Sequence, residues 1–366
     1  MCLNFGKQDT TYCDMAKKRK KKTGNNLLKK CMLVFAVLFI ILLTAAGFVW
    51  KKYMLDSVTD TAFWLYIDRN STIESVLRDL GQNMESSNVA RIGRIARINE
   101  YSPQSHPGAY RIEPGTGIFD LYRKLSRGAE TPIRFTFNNI RTKSDLAQRI
   151  GQSFMMTEEE MNDLLNDREV AAEFGFGLPT FTAMFIPDTY EMYWSVSPRR
   201  LLEKMHGEYE KFWTEERRAK AKAAGLSLQE VSTLASIVEE ETKAPDEMKV
   251  VAGLYLNRLK KNMLLQADPT VKFAVNDFTI RRILKEHLET ESPYNTYKYA
   301  GLPPGPIRMP SKAAIDAVLD YAHHPFIYMC AKEDFSGRHN FAESYAEHMK
   351  NAQRYRNALN RRNILR

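Results

Sequence analysis

Apolar and polar positions along the chain change rhythm several times, and each rhythm predicts an element. Residues 31–50 are twenty positions without a charge. At 1.5 Å rise per residue this run can cross about 30 Å of hydrocarbon, so it predicts a transmembrane helix. A cleaved signal peptide is the competing reading, but its apolar core is shorter and closes on small residues, whereas this run passes through Phe48, Val49 and Trp50 into Lys51 and Lys52. Residues 63–67 read as a strand, and Ser71-Thr-Ile-Glu74 starts a helix with Ile73, Val76, Leu77 and Leu80 on one side. Tyr110-Arg-Ile112, the turn Pro114-Gly-Thr-Gly117 and the spacing of Ile118, Leu121, Tyr122 and Leu125 read as a second unit of the same kind. A turn near Gly128 precedes strand-like residues 133–137. Helical stretches follow over 143–151 and from Thr157-Glu-Glu-Glu160 to Asp167, and residues 199–224 read as a long charged helical region. The pattern predicts an α+β protein: a basic tail (1–30), a single N-terminal transmembrane helix (31–50), a small module (51–128) and a larger α+β domain (129–366).

The segment with most chemistry is Leu234-Ala-Ser-Ile-Val-Glu-Glu-Glu-Thr242. Ser227 and Glu230 form a capping box that starts its helix. At 100° per residue, Val231, Leu234, Val238 and Glu241 share one side, flanked by Leu228, Ala235 and Ile237. Glu240 falls almost opposite, facing water, and Glu239 on the other flank is ambiguous. Glu241 is therefore the carboxylate expected to be half buried. Partial desolvation disfavours its ionised form and raises its pKa, as a general acid near neutral pH requires. The alternative is a capped helix that ends in a solvated acidic cluster.

Charge and cysteine usage then fix compartment and topology. Nine basic side chains stand against two acidic ones before the apolar run, +7 of the chain's +9. After it the nearest positive charges are Lys51, Lys52 and Arg69. This bias predicts a cytoplasmic N-terminus, a single-pass anchor in the cytoplasmic (inner) membrane and an extracytoplasmic or periplasmic bulk. The lysine run 17–22 should be drawn to anionic lipid. Only +2 of the +9 is left for residues 31–366, too little to argue for nucleic acid. Cys2 and Cys13 lie on the cytoplasmic side, Cys31 at the membrane edge and Cys330 outside, so no intrachain disulfide is expected. His323, His324, His339 and His348 are scattered without metal-ligand spacing and read as packing or substrate-side residues; no metal and no cofactor are expected.

Several blocks now stand in one order: Glu239-Glu-Glu241-Thr242, Val251-Ala-Gly-Leu-Tyr-Leu-Asn-Arg-Leu259, Leu265-Gln-Ala-Asp-Pro-Thr-Val271, Tyr294-Asn-Thr-Tyr297 and Gly301-Leu-Pro-Pro-Gly-Pro-Ile307. Together they resemble the MltG (YceG-like) endolytic murein transglycosylases. Phe185-Ile-Pro-Asp-Thr-Tyr190, Gly108-Ala-Tyr-Arg-Ile112 and Gly337-Arg-His-Asn-Phe341 resemble further blocks of that family, and only the N-terminal tail falls outside the likeness. The resemblance implies that Glu241, second carboxylate of Glu-x-Glu-Thr, is the catalytic acid, with Glu239 in support. It also implies that residues 51–128 are a LysM-like module and 129–366 the catalytic domain. A small packing module without a ligand is the alternative for the former.

Polar residues downstream are candidate substrate contacts. Pro269 stiffens a short polar segment in which Gln266, Asp268 and Thr270 are placed to point together into a cleft. Tyr294, Asn295 and Tyr297 add rings and hydrogen-bonding groups suited to sugars, and the loop 301–307 is rigid enough to hold a cleft wall. The expected reaction is cleavage of the bond between N-acetylmuramic acid and N-acetylglucosamine in nascent peptidoglycan glycan strands. It would leave 1,6-anhydromuramyl ends and limit strand elongation beside peptidoglycan synthases of the elongation or division machinery. Two alternatives remain: a hydrolytic muramidase, and a noncatalytic anchored wall-binding protein.

Overall fold

The computed structural model describes residues 10–280 and 282–362, with side chains from residue 28 onward except that of residue 55. The first nine residues of the basic tail, and its side chains as far as residue 27, lie outside the described residues. The chain divides into two compact units, Met1–Thr131 and Pro132–Arg366.

The first unit contains α1 (Thr10–Trp50), β1 (Phe63–Ile67), α2 (Ile73–Leu80), α3 (Ser86–Ile98), β2 (Gly108–Ile112) and α4 (Ile118–Ser126). Within α1 and the turn after it, Leu28–Met54 is long and apolar enough to cross a membrane. Over its uncharged stretch, residues 31–50, the side chains are exposed and apolar on every face, Phe35 at 73%, which suits hydrocarbon rather than water. The two strand segments read from the sequence form one antiparallel sheet, with Leu65 opposite Tyr110. Period-2 alternation sends Phe63, Leu65 and Ile67 into the core with Val76, Leu80, Leu121 and Leu125. The cap of α2 is Thr72, whose side chain accepts from the Ser75 amide while the Ser75 hydroxyl accepts from the Thr72 amide. Helix α3, which the sequence reading passed over, buries Ile92 and Ala96 in the same core.

The second unit begins with β3 (Ile133–Phe137), α5 (Lys143–Gly151), α6 (Glu158–Asn166), α7 (Arg168–Glu173) and β4 (Asp188–Met192). It continues with α8 (Pro198–Phe212), α9 (Glu215–Ala224), α10 (Leu228–Glu241), α11 (Pro245–Lys260), α12 (Asp268–Val275) and α13 (Lys285–Leu288). The last elements are α14 (Lys312–Leu319), β5 (Tyr328–Ala331), β6 (His339–Ala342) and α15 (Tyr345–Arg361). The strands pair as two antiparallel ribbons, β3 with β4 and β5 with β6. The charged region 199–224 is two helices rather than one. Trp213 is buried at the junction and the Thr214 side chain caps α9 by accepting from the Arg217 amide, so burying an aromatic ring and starting a new cap outweigh continued helix.

Helix α10 is the axis of this unit. Every residue from Val231 to Val238 is buried, Ser232 and Ser236 included. It packs against α9, α11, α12 and α14, so its central stretch from Val231 to Val238 has no water-facing side. Its buried hydroxyls turn back on the helix: Ser232 donates to the Leu228 carbonyl and Thr233 to the Gln229 carbonyl. Ser236 accepts from the Ile307 amide at 3.0 Å, which fastens the proline-rich loop 301–307 to the back of α10. Helix α11 approaches the turn after α14 so closely that a Cβ on Gly253 would lie 2.2 Å from the Ala322 carbonyl oxygen.

That contact is backbone and cannot swing away. Gly253→Ala should therefore lower stability by about 1–3 kcal/mol, read as a fall in the urea midpoint at unchanged slope. A variant as stable as the parent would show that α11 can shift freely.

Candidate active site

Three carboxylates end α10 side by side, and the structure gives them different partners. Glu239 accepts from the Ser311 amide at 3.0 Å, at the start of α14, and lies 3.4 Å from Arg308 Nε. Glu240 accepts from Arg141 at 2.8 Å and from Arg308 at 2.5 Å. It does not face water: its side chain is 17% exposed. The helical phase puts it almost opposite the apolar stripe, but that side of α10 meets protein rather than solvent at its last turn. Burial pushes the Glu240 carboxyl up, and the Arg141 and Arg308 charges more than reverse this, holding it below the usual range.

Among the described residues no cation lies within ion-pair distance of Glu241, and only the more distant Lys272 charge draws its pKa down. The Glu241 Oε1 accepts from the Tyr255 hydroxyl at 2.6 Å, a neutral donor from one helix further on. Removal from water raises its pKa to about 7. The Tyr255 hydrogen bond opposes that shift, and the nearby Asp268 charge adds to it. A half-buried carboxyl of this kind holds its proton near neutral pH and can release it to a substrate oxygen.

Glu241 opens into a cleft of about 390 Å³, lined also by Tyr255, Arg258, Gln266, Asp268, Tyr297 and His339. Three of the six candidate contacts are therefore brought to it. Gln266 sits at φ +51°, a left-handed conformation uncommon outside glycine; its amide donates to the Thr296 carbonyl and its Oε1 accepts from Arg258 at 2.6 Å. Asp268 accepts from the Tyr297 hydroxyl at 2.6 Å.

The other three do structural work elsewhere. Thr270 is fully buried, donates to the Ala267 carbonyl and lies 2.8 Å from the Thr296 hydroxyl. The segment is not a loop, because α12 begins at Asp268 with Pro269 in its first turn. That turns Thr270 into the scaffold. Asn295 is buried and donates to the Leu288 and Thr290 carbonyls. Tyr294 packs on Phe273, with ring centroids 4.7 Å apart, away from the Glu241 cleft.

Sequence reasoning missed Tyr255, Arg258 and the use of Thr242. Tyr255 falls in the buried row Met248, Val251, Ala252, Tyr255 of α11. A phenol in an apolar row needs a polar partner, and this was the available signal. Thr242 donates to Glu247 Oε2 at 2.8 Å. Glu247, buried at 5%, in turn accepts from the His339 amide and lies 3.1 Å from His339 Nδ1. His339 and His348 both reach the cleft, whereas the His323 ring packs tilted against Tyr321 and the His324 ring against Phe326.

A desolvated acid held by a phenol in a polar, aromatic-lined cleft defines a general-acid site. The model of the YceG-like family matches residues 65–354, and the chain belongs to that family. A protein of Streptococcus pneumoniae named endolytic murein transglycosylase is 24% identical over 365 residues, covering 90% of this chain and 66% of the relative. One of the same name from Bacillus subtilis is 35% identical over 148 residues, 40% of each chain. The chain thus spans just under two thirds of the pneumococcal relative's length. The crystal structure of a putative YceG-like protein from Listeria monocytogenes has the same fold, with a TM-score of 0.55 at 23% identity, covering 80% of this chain and 99% of that one.

Catalysis by protonated Glu241 should decline on the alkaline side as that group ionises near pH 7. Tyr255→Phe removes a bond that favours the ionised form, so it should move this limb to higher pH and lower the rate about tenfold. Because the folded protein holds this proton more tightly than the unfolded chain, the contribution of Glu241 to stability falls as pH rises from the ordinary 4.5 toward 7. Glu241→Gln should accordingly be more stable than the parent above pH 7, with the gain shrinking below pH 5. An unmoved limb in Tyr255→Phe would remove the phenol from the proton chemistry. Separately, Glu240→Gln strips one anion from buried Arg308 and should lower unfolding stability by about 1–3 kcal/mol, measured by urea denaturation; an unchanged midpoint would mean the pair is solvent-screened.

Proposed function

We propose that this protein is a membrane-anchored endolytic lytic transglycosylase acting on peptidoglycan. The observation that carries the reading is the state of Glu241, a cleft carboxyl with its pKa raised to about 7 by burial and with no cation in ion-pair contact among the described residues. Glu241 gives its proton to the bridging oxygen as the bond from muramyl C1 to that oxygen breaks. The carboxylate then takes the proton of the muramyl 6-hydroxyl as O6 bonds to C1. The acid is regenerated, the sugar closes to a 1,6-anhydro end, and no water is consumed. The muramyl hydroxyl competes well because it is held within the same molecule. Relatives named endolytic murein transglycosylase support the substrate and the internal position of the cut.

We assign residues 51–128 as the LysM-like module and 129–366 as the catalytic domain. The apolar helix serves as the anchor, with the basic tail in the cytoplasm and both the module and the catalytic domain outside. From there the cleft would meet glycan strands as synthases extrude them, so cutting would limit strand length.

A hydrolytic muramidase is the second reading, because Asp268 brings another carboxylate into the cleft. One of its oxygens is engaged by Tyr297, so its part here is to stabilise positive charge developing at C1.

Digestion of purified peptidoglycan by the full-length protein in water enriched in heavy oxygen separates the readings. Anhydromuramyl ends, unlabelled and lighter than hydrolytic ends by one water, about 18 Da by the stoichiometry of cleavage, are expected in the mass spectrum. Glu241→Gln should lose about 10² to 10⁴ in rate. Labelled reducing ends would make Asp268 or a partner the activator of water and establish a muramidase; glycan bound but never cut would make this a binding protein.

A further inference from the structure

Arg258 is a cleft residue that the proton chemistry leaves unused. It is 7% exposed yet lines the cleft beside Gln266. Its Nε donates to the Leu264 carbonyl at 2.9 Å, Nη1 to the Ile327 carbonyl at 3.1 Å and Nη2 to Gln266 Oε1 at 2.6 Å. All three acceptors are neutral. A guanidinium has five N–H donors and stays charged in proteins, so one hydrogen on each Nη lacks an acceptor among the described residues. Arg141, Arg217, Arg308 and Arg338 each face a carboxylate; among the described residues none lies within ion-pair distance of Arg258. Holding a cation away from water without a counter-charge is costly, and burial pulls its pKa down. A second unsatisfied group stands in the same wall: His348, stacked on Tyr328 with centroids 5.3 Å apart, has a buried Nδ1 with no partner.

We propose that Arg258, braced by Gln266, is an anion subsite that takes a carboxylate carried by the muramyl unit of the substrate. The inference rests on the reading of the cleft as a glycan site. Arg258 lies three residues beyond Tyr255 on α11, about 4.5 Å along the helix axis, and Tyr255 touches the catalytic acid. The subsite therefore adjoins the sugar whose bridging oxygen meets Glu241. Muramic acid differs from N-acetylglucosamine by a lactyl ether that ends in a carboxyl. The anion is that lactyl carboxylate on stem-free strands, or a carboxylate of the peptide stem where the lactyl group is amidated. In either case a plain N-acetylglucosamine chain has nothing to answer the guanidinium.

Calorimetric binding to the full-length protein, in the Glu241→Gln background to prevent turnover, tests this with five tetrasaccharides. These are a plain N-acetylglucosamine oligomer and the alternating muramyl oligomer, stem-free and stem-bearing, the latter two each as acids and as neutral amides. The acid form should bind about 10- to 100-fold more tightly than its amide, as expected for a hydrogen-bonded ion pair. Whichever form shows the preference identifies the source of the carboxylate. Gln266→Glu places a carboxylate against Arg258 from within the protein and should abolish the preference. Arg258→Lys, which keeps charge but not the fork, should retain part of it. Equal affinity for acid and amide in both forms overturns the subsite without any variant, and a preference undiminished in Gln266→Glu assigns it to another group. Tight binding of acids by a protein whose parent never cuts glycan would instead overturn the transglycosylase reading and leave the subsite standing.

Discussion

The site depends on one carboxyl being kept from water without a cation to compensate it. An ionised carboxylate in such a place is expensive unless paired; left with a phenol, Glu241 responds by holding its proton. Its neighbours show the contrast. Glu239 and Glu240 leave the same turn of α10, but arginines and a helix-start amide receive them. Three adjacent carboxylates are thus sorted into two that hold the fold together and one that is chemically poised.

Much of the second unit serves to keep that sorting in place. Helix α10 is enclosed on all sides, so the direction of its last turn is fixed by packing rather than by solvent. Helix α11 carries Tyr255 and Arg258 on neighbouring turns and begins near Glu247, which holds Thr242 on one side and His339 on the other. The close approach at Gly253 seats α11 against the turn that follows α14. Buried Thr270, Thr296 and Asn295 anchor the segments from which Gln266, Asp268 and Tyr297 reach the cleft. A hydroxyl or amide with its partners inside the protein makes a firmer support than one that also has to bind substrate.

Membership of the YceG-like family extends from residue 65 to residue 354, so it takes in most of the first unit along with the cleft. The apolar helix before it is long enough to cross a membrane.

Strong local signals carried a great deal by themselves. The uncharged run, the capping boxes at Thr157 and Ser227, the strand alternation of residues 63–67 and 133–137, and the inward phase of Glu241 are all visible in sequence because caps, span length and periodicity depend on near neighbours. So is the resemblance of the motif blocks. What sequence could not decide was which surfaces meet other protein. Glu240 falls almost opposite the apolar stripe in phase, yet that side of the helix meets Arg141 and Arg308, which come from positions 99 and 68 residues away. Thr270, Asn295 and Tyr294 have the chemistry of sugar contacts, but the turn that starts α12 and the packing around it make them internal supports. Tyr255 and Arg258 look like ordinary helix residues until tertiary structure sets one against Glu241 and leaves the other without a counter-charge. Desolvation and charge pairing are sums over distant segments, and only the folded chain brings those segments together.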